Sequence, residues 1–324
     1  MLKPTGKTNP QDPTSTIPSL SVVTSVYRSE RFLAPFIDEM VATVEKAGIK
    51  NYELIFVNDG SPDESLPYLI RAHADNQRIK IVDLSRNFGH HKAVLAGLSY
   101  AKGDLTFIID CDLEVRPGVL QRFLDTLRET DVDVVYGVQE KRKGALVERT
   151  GGALFWRLFN LLSDTKIPEN VLSERLMKRS YVQALLSLGD RNVFLGGMMY
   201  WSGFRQLGIV VQKTQREGAS TYSFRKRLSL LLEAVTSFST APLKVVLLAG
   251  LGVTLLAMTV GIVLLVRKLL HPEAVLEGFT SLMLVTIGMA GMVITVLGIV
   301  GLYIARIYTQ TQNRPLFIVR EFHD

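Results

Sequence analysis

Two stretches near the C-terminal end carry no charged side chain: residues 245–266 (VVLLAGLGVTLLAMTVGIVLLV) and residues 279–305. A helix rises ~1.5 Å per residue, so ~20 apolar residues cross a ~30 Å hydrocarbon core. Both stretches are long enough, the second with tilt to spare, and helices buried in soluble cores are seldom charge-free over such lengths. The sequence therefore predicts two transmembrane helices, a multi-pass anchor for the domain that precedes them.

The net charge of +6 has a location. Arg225, Lys226, Arg227 and Lys244 precede the first stretch and Arg306, Arg314 and Arg320 follow the second, whereas the connection, residues 267–278, holds Arg267 and Lys268. Basic residues favour the cytoplasmic side, which predicts a cytoplasmic head on an inner membrane and an anionic lipid surface as its neighbour. No basic patch with interleaved aromatics supports a nucleic-acid partner. The single cysteine, Cys111, excludes an intramolecular disulfide and a cysteine-based zinc cluster. Residues 1–18, polar and rich in Pro, Thr and Ser, predict a disordered lead-in and no signal peptide.

From Leu20 the pattern becomes regular. Strands are expected over residues 20–27, 52–57, 79–84 and 105–109, separated by helix-length segments. This alternation predicts an α/β fold, a Rossmann-like, mostly parallel sheet built from βαβ units. Ligands of such sheets bind beyond the carboxyl ends of the strands, where Asn58-Asp59-Gly60-Ser61, Ser85-Arg86-Asn87-Phe88-Gly89 and Asp110-Cys111-Asp112 lie. A dinucleotide-binding domain would need G-x-G-x-x-G at the first turn, which instead reads SVYRSE; no Walker A pattern occurs.

Asp110 and Asp112 close the apolar strand TFIIDCD, so two carboxylates at i and i+2 address one small site. Hard oxygen ligands beside a diphosphate-sized cleft suit Mg²⁺ or Mn²⁺, a Lewis acid that offsets leaving-group charge. Cys111 reads as a small side chain packed behind the loop.

The ordered segments LSVVTSVYRSE, ELIFVNDGSPD, VDLSRNFGHHKAVLAGLSYAKGD and FIIDCDLE resemble the successive motifs of family-2 GT-A glycosyltransferases. Within them the chain is most similar to the polyprenyl-phosphate branch: undecaprenyl-phosphate glucosyl- and aminoarabinosyl-type transferases and dolichyl-phosphate mannose synthases. The resemblance implies that Asp59 contacts the nucleoside base, Asp110 the ribose or diphosphate, and Asp112 the metal. It implies that Arg86 and Asn87 line the nucleotide end and that Arg175 belongs to the substrate site. It also implies that Arg216, in REGASTY, holds a diphosphate or lipid phosphate, a task suited to a bidentate guanidinium.

Three departures stand out. The family's DADLQxPP reads DCDLEVRPG, the lysine before Tyr222 is Thr221, and the family's proposed catalytic aspartate falls at Ser173, with Glu174 beside it. A phosphate monoester acceptor with a second pKa near ~6 is already largely dianionic at neutral pH, so a general base has little to remove. Positioning and charge neutralisation should matter more. Ser173, Glu174 and Asp112 are the candidate catalytic residues.

Phe224, Leu228, Leu231, Val235 and Phe238 form one helical stripe with Arg225 and Lys226 off it. This predicts an amphipathic juxtamembrane helix over residues 222–241, lying in the headgroup plane; residues 153–162 (ALFWRLFNLL) offer a second apolar surface that serves either the membrane or the core. The expected organisation is a tail (1–18), a GT-A head (19–221), the juxtamembrane helix, a transmembrane pair (242–306) and a cytoplasmic tail (307–324). The resemblance implies an inverting transfer from a nucleotide sugar, in the first place a UDP-sugar, to polyprenyl phosphate, supplying a lipid-linked sugar for cell-envelope glycans such as lipopolysaccharide. It also leaves room for homo-oligomers formed through the membrane helices. Two rival readings are a catalytically silent membrane scaffold, favoured by Ser173, and a polysaccharide synthase, whose Q/R-x-x-R-W motif is missing from DRNVFLGG.

Overall fold

The computed structural model describes residues 18–139, 168, 170–213, 241–270 and 279–324. Among the described residues the head is one eight-stranded sheet whose strands, numbered along the chain, lie in the order 7-5-6-4-1-2-3-8. Its centre follows the expected alternation: β1 (Leu20–Val26), α1 (Glu30–Lys46), β2 (Tyr52–Asn58), α2 (Ser65–Asp75), β3 (Ile79–Leu84), α3 (His90–Tyr100) and β4 (Leu105–Ile108). These four strands run parallel, with Leu20 opposite both Tyr52 and Leu105. They are β-branched and almost wholly buried, as parallel strands covered by helices on both faces must be.

One face is covered by α1 and by α4 (Val119–Glu129), whose Leu33, Phe36, Met40, Phe123 and Leu124 pack with Phe56 and Phe107. The other is covered by α3 and by α5 (Arg179–Ser187), through Val94, Leu98, Tyr181 and Leu185. Gly97 lets α3 approach closely: a Cβ there would lie 2.4 Å from Val23 Cγ1 and 2.9 Å from Val57 Cγ2.

The sheet is mixed, with parallel pairings in the majority as expected: four of its seven pairings are parallel and three antiparallel. The alternation continues through α4 to β5 (Val134–Gln139), and the antiparallel pairings come after it. β6 (Val171–Lys178) pairs antiparallel with both β4 and β5, and β7 (Gln206–Val211) lies parallel to β5 at one edge. At the other edge β8 (Val319–His323) pairs antiparallel with β3. A short helix, α6 (Leu195–Trp201), precedes β7.

Between β7 and β8 come two long helices, α7 (Ala241–Leu270) and α8 (Phe279–Thr311). The apolar side chains described on them face outward; Ile294 is 69% exposed and Leu256 64%. Among the described residues one stretch, Gly288–Thr311, is long and apolar enough to cross a bilayer, and none of it is buried. The chain does not trail away after position 306 as a tail. α8 continues to Thr311, the turn at Asn313 adopts φ 48°, and β8 rejoins the sheet. Arg216, the juxtamembrane stripe of residues 222–240 and the apolar residues 153–162 lie outside the described residues.

Candidate active site

Because β1 to β4 are parallel, their carboxyl ends emerge along one edge of the sheet. β6 runs the other way, so its beginning lies at that same edge. Ile108 is opposite Arg175; continuing the register past the end of β4 sets Glu174 beside Ile109 and Ser173 beside Asp110. The side chains meet there: Ser173 Oγ donates to Asp110 Oδ2 at 2.7 Å.

Asp59 follows β2 and is 3% exposed. Its Oδ1 accepts the Phe88 N–H at 2.6 Å and its Oδ2 the Gly89 N–H at 3.0 Å. Burial pushes its carboxyl above the ordinary range, while those two N–H groups, His90 and Arg86 pull it back down. Asp59 is therefore the fastener of the loop after β3; a contact to a base would use its remaining lone pairs. Gly60 makes the fastening possible. It sits at φ 62°, and a Cβ would lie 2.6 Å from the backbone of Arg86 and Asn87. On the loop it supports, Arg86 and Asn87 are exposed, and the Arg86 guanidinium lies over the Phe88 ring at 4.1 Å and donates to the Asn87 carbonyl at 3.1 Å. The sequence places Arg86 and Asn87 at the open end of this edge, and the structure leaves them there.

Asp112 is half-buried, and its Oδ1 accepts the Glu114 N–H at 3.0 Å across Leu113, which takes φ 59°. Burial raises the Asp112 carboxyl, and the charges of Glu114 and Asp110 raise it further, while Lys213 lowers it. Glu174, 4% exposed, is pushed up to about 7 by burial first and then by Asp110. Among the described residues its Oε2 has no hydrogen-bond partner. Glu114 forms an ion pair with Lys213, just after β7.

Glu114 and Lys213 are site residues that sequence reasoning did not single out. Glu114 stood in the quoted DLE segment without a role, and Lys213 belongs to no motif. Only the β5–β7 pairing carries it to this edge.

Among the described residues no three acidic, histidine or cysteine side chains converge as a preformed metal cage. The donor set nonetheless fits a divalent cation. The charges of Asp110 and Glu114 raise the Asp112 carboxyl and those of Asp110 and Asp112 raise Glu174, while Lys213 lowers both. Mg²⁺ and Mn²⁺ at phosphate sites typically take one or two carboxylates, with water and phosphate oxygens completing the shell.

Arg175 is 3% exposed and turned away from the open edge. Its guanidinium lies between the Tyr136 and Tyr200 rings, 5.3 and 5.5 Å from their centroids, with Gln206 Oε1 at 3.4 Å. With Ser173, His91, Phe194 and Met199 it lines a cavity of about 210 Å³ beside Asp110. Burial, then His90, holds the His91 imidazole down at about 4, so it is neutral near pH 7. The structure thus joins Asp110, Asp112, Ser173 and Glu174 in one cluster, sets Arg86 and Asn87 at its rim, and puts Arg175 in the wall behind it.

Comparison with known proteins adds a family. The sequence profile of glycosyl transferase family 2 matches residues 21–186. An uncharacterized glycosyltransferase of Bacillus subtilis, YkcC, is 34% identical over 303 residues, covering 93% of this chain and 93% of the relative. An uncharacterized glycosyltransferase of Synechocystis, sll0501, is 33% identical over 304 residues, covering 93% of this chain and 95% of the relative. Among solved structures, the mannosyltransferase PcManGT from Pyrobaculum calidifontis, in complex with GDP-Man and Mn²⁺, aligns with a TM-score of 0.45 at 15% identity, over 92% of this chain and 88% of that one.

Proposed function

The chain belongs to glycosyl transferase family 2, and from that membership we propose that it moves a sugar from a nucleotide sugar to a polyprenyl phosphate at the cytoplasmic face of a membrane. The donor is a UDP-sugar in the first instance, and the product is a lipid-linked sugar for the cell envelope.

The observation that carries the acceptor half of this reading is the return of the chain to the sheet. β7 and β8 belong to one sheet, and the outward-facing apolar helices lie between them. A path that enters a bilayer between two strands of one sheet must cross it an even number of times. This favours α7 and α8 crossing as a pair, with the head held at the lipid surface. The excess of basic residues flanking the pair favours the cytoplasmic side for that surface.

In the reaction an oxygen of the acceptor phosphate attacks the anomeric carbon. The bond from that carbon to the donor diphosphate breaks, and the configuration inverts. Asp110 and Asp112 would hold a divalent cation, which offsets the charge on the departing diphosphate. Ser173 holds the Asp110 carboxylate in one orientation. Asp59 fixes the loop that presents Arg86 and Asn87 to the nucleotide. Glu174, poised at about 7, is partly protonated at neutral pH and so repels an incoming phosphate less than a full carboxylate would. The dianionic acceptor needs no base. Arg216, by its motif, is the cation for a phosphate.

Ser173 in place of the family's aspartate favours one other reading, a nucleotide-binding but catalytically silent membrane subunit. Incubating membranes that contain the protein with labelled nucleotide sugars and polyprenyl phosphate, with and without chelator, separates the two. Metal-dependent lipid-linked product supports transfer; donor binding with no turnover supports the silent subunit.

A further inference from the structure

The end of α8 does not hang from the head by a slack linker. It is bonded to the loop between α5 and α6. The Arg191 backbone N–H donates to Gln310 Oε1 at 2.9 Å, and Gln310 Nε2 donates back to the Gly189 carbonyl at 3.2 Å. Asn192 Nδ2 donates to the Arg306 carbonyl at 3.3 Å, and the Arg191 guanidinium donates to Asn313 Oδ1. Asn313 is the residue that ends the helix. Its φ of 48° is one asparagine tolerates at a helix terminus, and it turns the chain back towards β8.

This seam touches both sides of the candidate site. On one side, the Arg191 loop runs directly into Phe194, which lines the cavity beside Asp110 and meets the His91 ring at 6.4 Å. On the other, the segment after Asn313 grips the start of the loop that Asp59 fastens. The Ser85 N–H donates to the Ile318 carbonyl at 2.9 Å, and Arg320 donates to the Ser85 carbonyl at 2.8 Å and lies 3.4 Å from Asp83. An anchor alone needs none of this; a flexible linker keeps a domain near a membrane equally well. Several bonds across more than a hundred residues of sequence fix an orientation instead.

We infer that Arg191, with Gln310 and Asn313, is a positioning joint that locks the head to the last membrane helix at one depth and tilt, so that the site meets an acceptor phosphate held at headgroup level. The inference rests on the lipid-acceptor reading above. Arg191 acts through the helix and does not touch the reacting groups, so its loss should matter only when the acceptor cannot move to the site. A misplacement of ~1 Å between reacting groups costs ~10²-fold in rate, and a freed joint allows at least that.

The test uses full-length protein in liposomes and two acceptors: a long-chain polyprenyl phosphate embedded in the bilayer and a water-soluble short-chain prenyl phosphate. For R191A/N313A the expected result is a loss of about tenfold or more on the embedded acceptor, transfer to the soluble one within about twofold of wild type, and an unchanged KM for the donor. Equal losses on both acceptors, or no loss on either, would overturn the inference. Spin labels at Gln121 on α4 and Leu302 on α8, on a Cys111→Ser background, read the joint independently of turnover. One narrow distance distribution that broadens in R191A/N313A is expected, and a distribution the substitutions leave unchanged overturns the joint. Wild-type protein inactive on both acceptors, with the labels behaving as expected, would refute the proposed function and leave the joint standing.

Discussion

Ser173 Oγ donates a 2.7 Å hydrogen bond to Asp110 Oδ2, across the antiparallel register that brings the start of β6 against the end of β4. At this separation a second carboxylate would face the first, and like charges so close cannot both ionise without a large pKa rise. A hydroxyl avoids that conflict and supplies a donor. The residue that departs from the family motif thus has its own task here, holding one carboxylate of the acidic cluster in place.

Changing Ser173 tests that task. Ser173→Ala removes the donor and should lower kcat by about tenfold with little change in donor KM, since one positioning hydrogen bond to a charged group is worth ~1.5–3 kcal/mol. Ser173→Asp should move the acidic limb of the pH–rate profile to higher pH, because two carboxylates then share one proton. Steady-state kinetics from pH 5 to 9 check both. An acidic limb unmoved in Ser173→Asp would count against the contact.

Glu174 links pH to stability. Its folded pKa of about 7 lies above the ordinary 4.5 of a free glutamate, so the folded state binds more protons than the unfolded one between these values. Stability is therefore expected to fall as pH rises from about 4.5 to 7, by on the order of 3 kcal/mol from this group. Glu174→Gln should remove that slope and be the more stable protein at pH 8. Chemical denaturation of both proteins in detergent at a series of pH values measures it. Parallel stability curves for the two would contradict the burial assignment.

Asp59 should be felt in the loop after β3. Asp59→Asn keeps the volume but leaves one amide oxygen where two carboxylate oxygens accepted the Phe88 and Gly89 N–H groups. An unsatisfied buried donor costs ~1–3 kcal/mol. Hydrogen exchange at Phe88 and Gly89 should speed up accordingly, and affinity for the nucleotide should drop by about tenfold. Unchanged exchange at both amides would contradict the fastener role.

Gly60 is the strictest position at this edge. Any side chain there would meet the Arg86 and Asn87 backbone at 2.6 Å and would also have to hold φ 62°. Gly60→Ala is expected to destabilise the head by about 2 kcal/mol or more and to weaken nucleotide binding, because the clash pushes on the loop that carries Arg86. Thermal unfolding and nucleotide titration of the variant check this.

The parallel half of the fold was legible because it repeats. β-branched runs, helix-length spacers and acidic or glycine-rich turns gave β1 to β4 and put Asp59, Arg86 and Asp110 at one edge. What followed β4 was not legible in the same way. No local signal distinguishes an antiparallel β6 from another parallel strand, yet that reversal is what pairs Ser173 with Asp110. Lys213 reaches Glu114 only through the β5–β7 pairing. β8 is five residues, VREFH, with two charges and little strand propensity of its own. It is a strand because β3 offers it an edge, and a tail was the natural expectation from its composition. Arg175 is named by its place in a motif, whereas its aromatic partners, Tyr136 and Tyr200, come from two other elements that no local pattern links to it.

The proposed function joins an acidic edge, which would hold a divalent cation, to a lipid phosphate acceptor. Its most direct test is transfer from a panel of labelled nucleotide sugars to polyprenyl phosphate in liposomes, comparing wild type with Asp112→Ala and with chelator. The account predicts a lipid-linked sugar that forms with Mg²⁺ or Mn²⁺, disappears on chelation, and falls by about 10²-fold or more in Asp112→Ala. Transfer that survives both chelator and the substitution, or labelled sugar that never reaches the lipid, would contradict it.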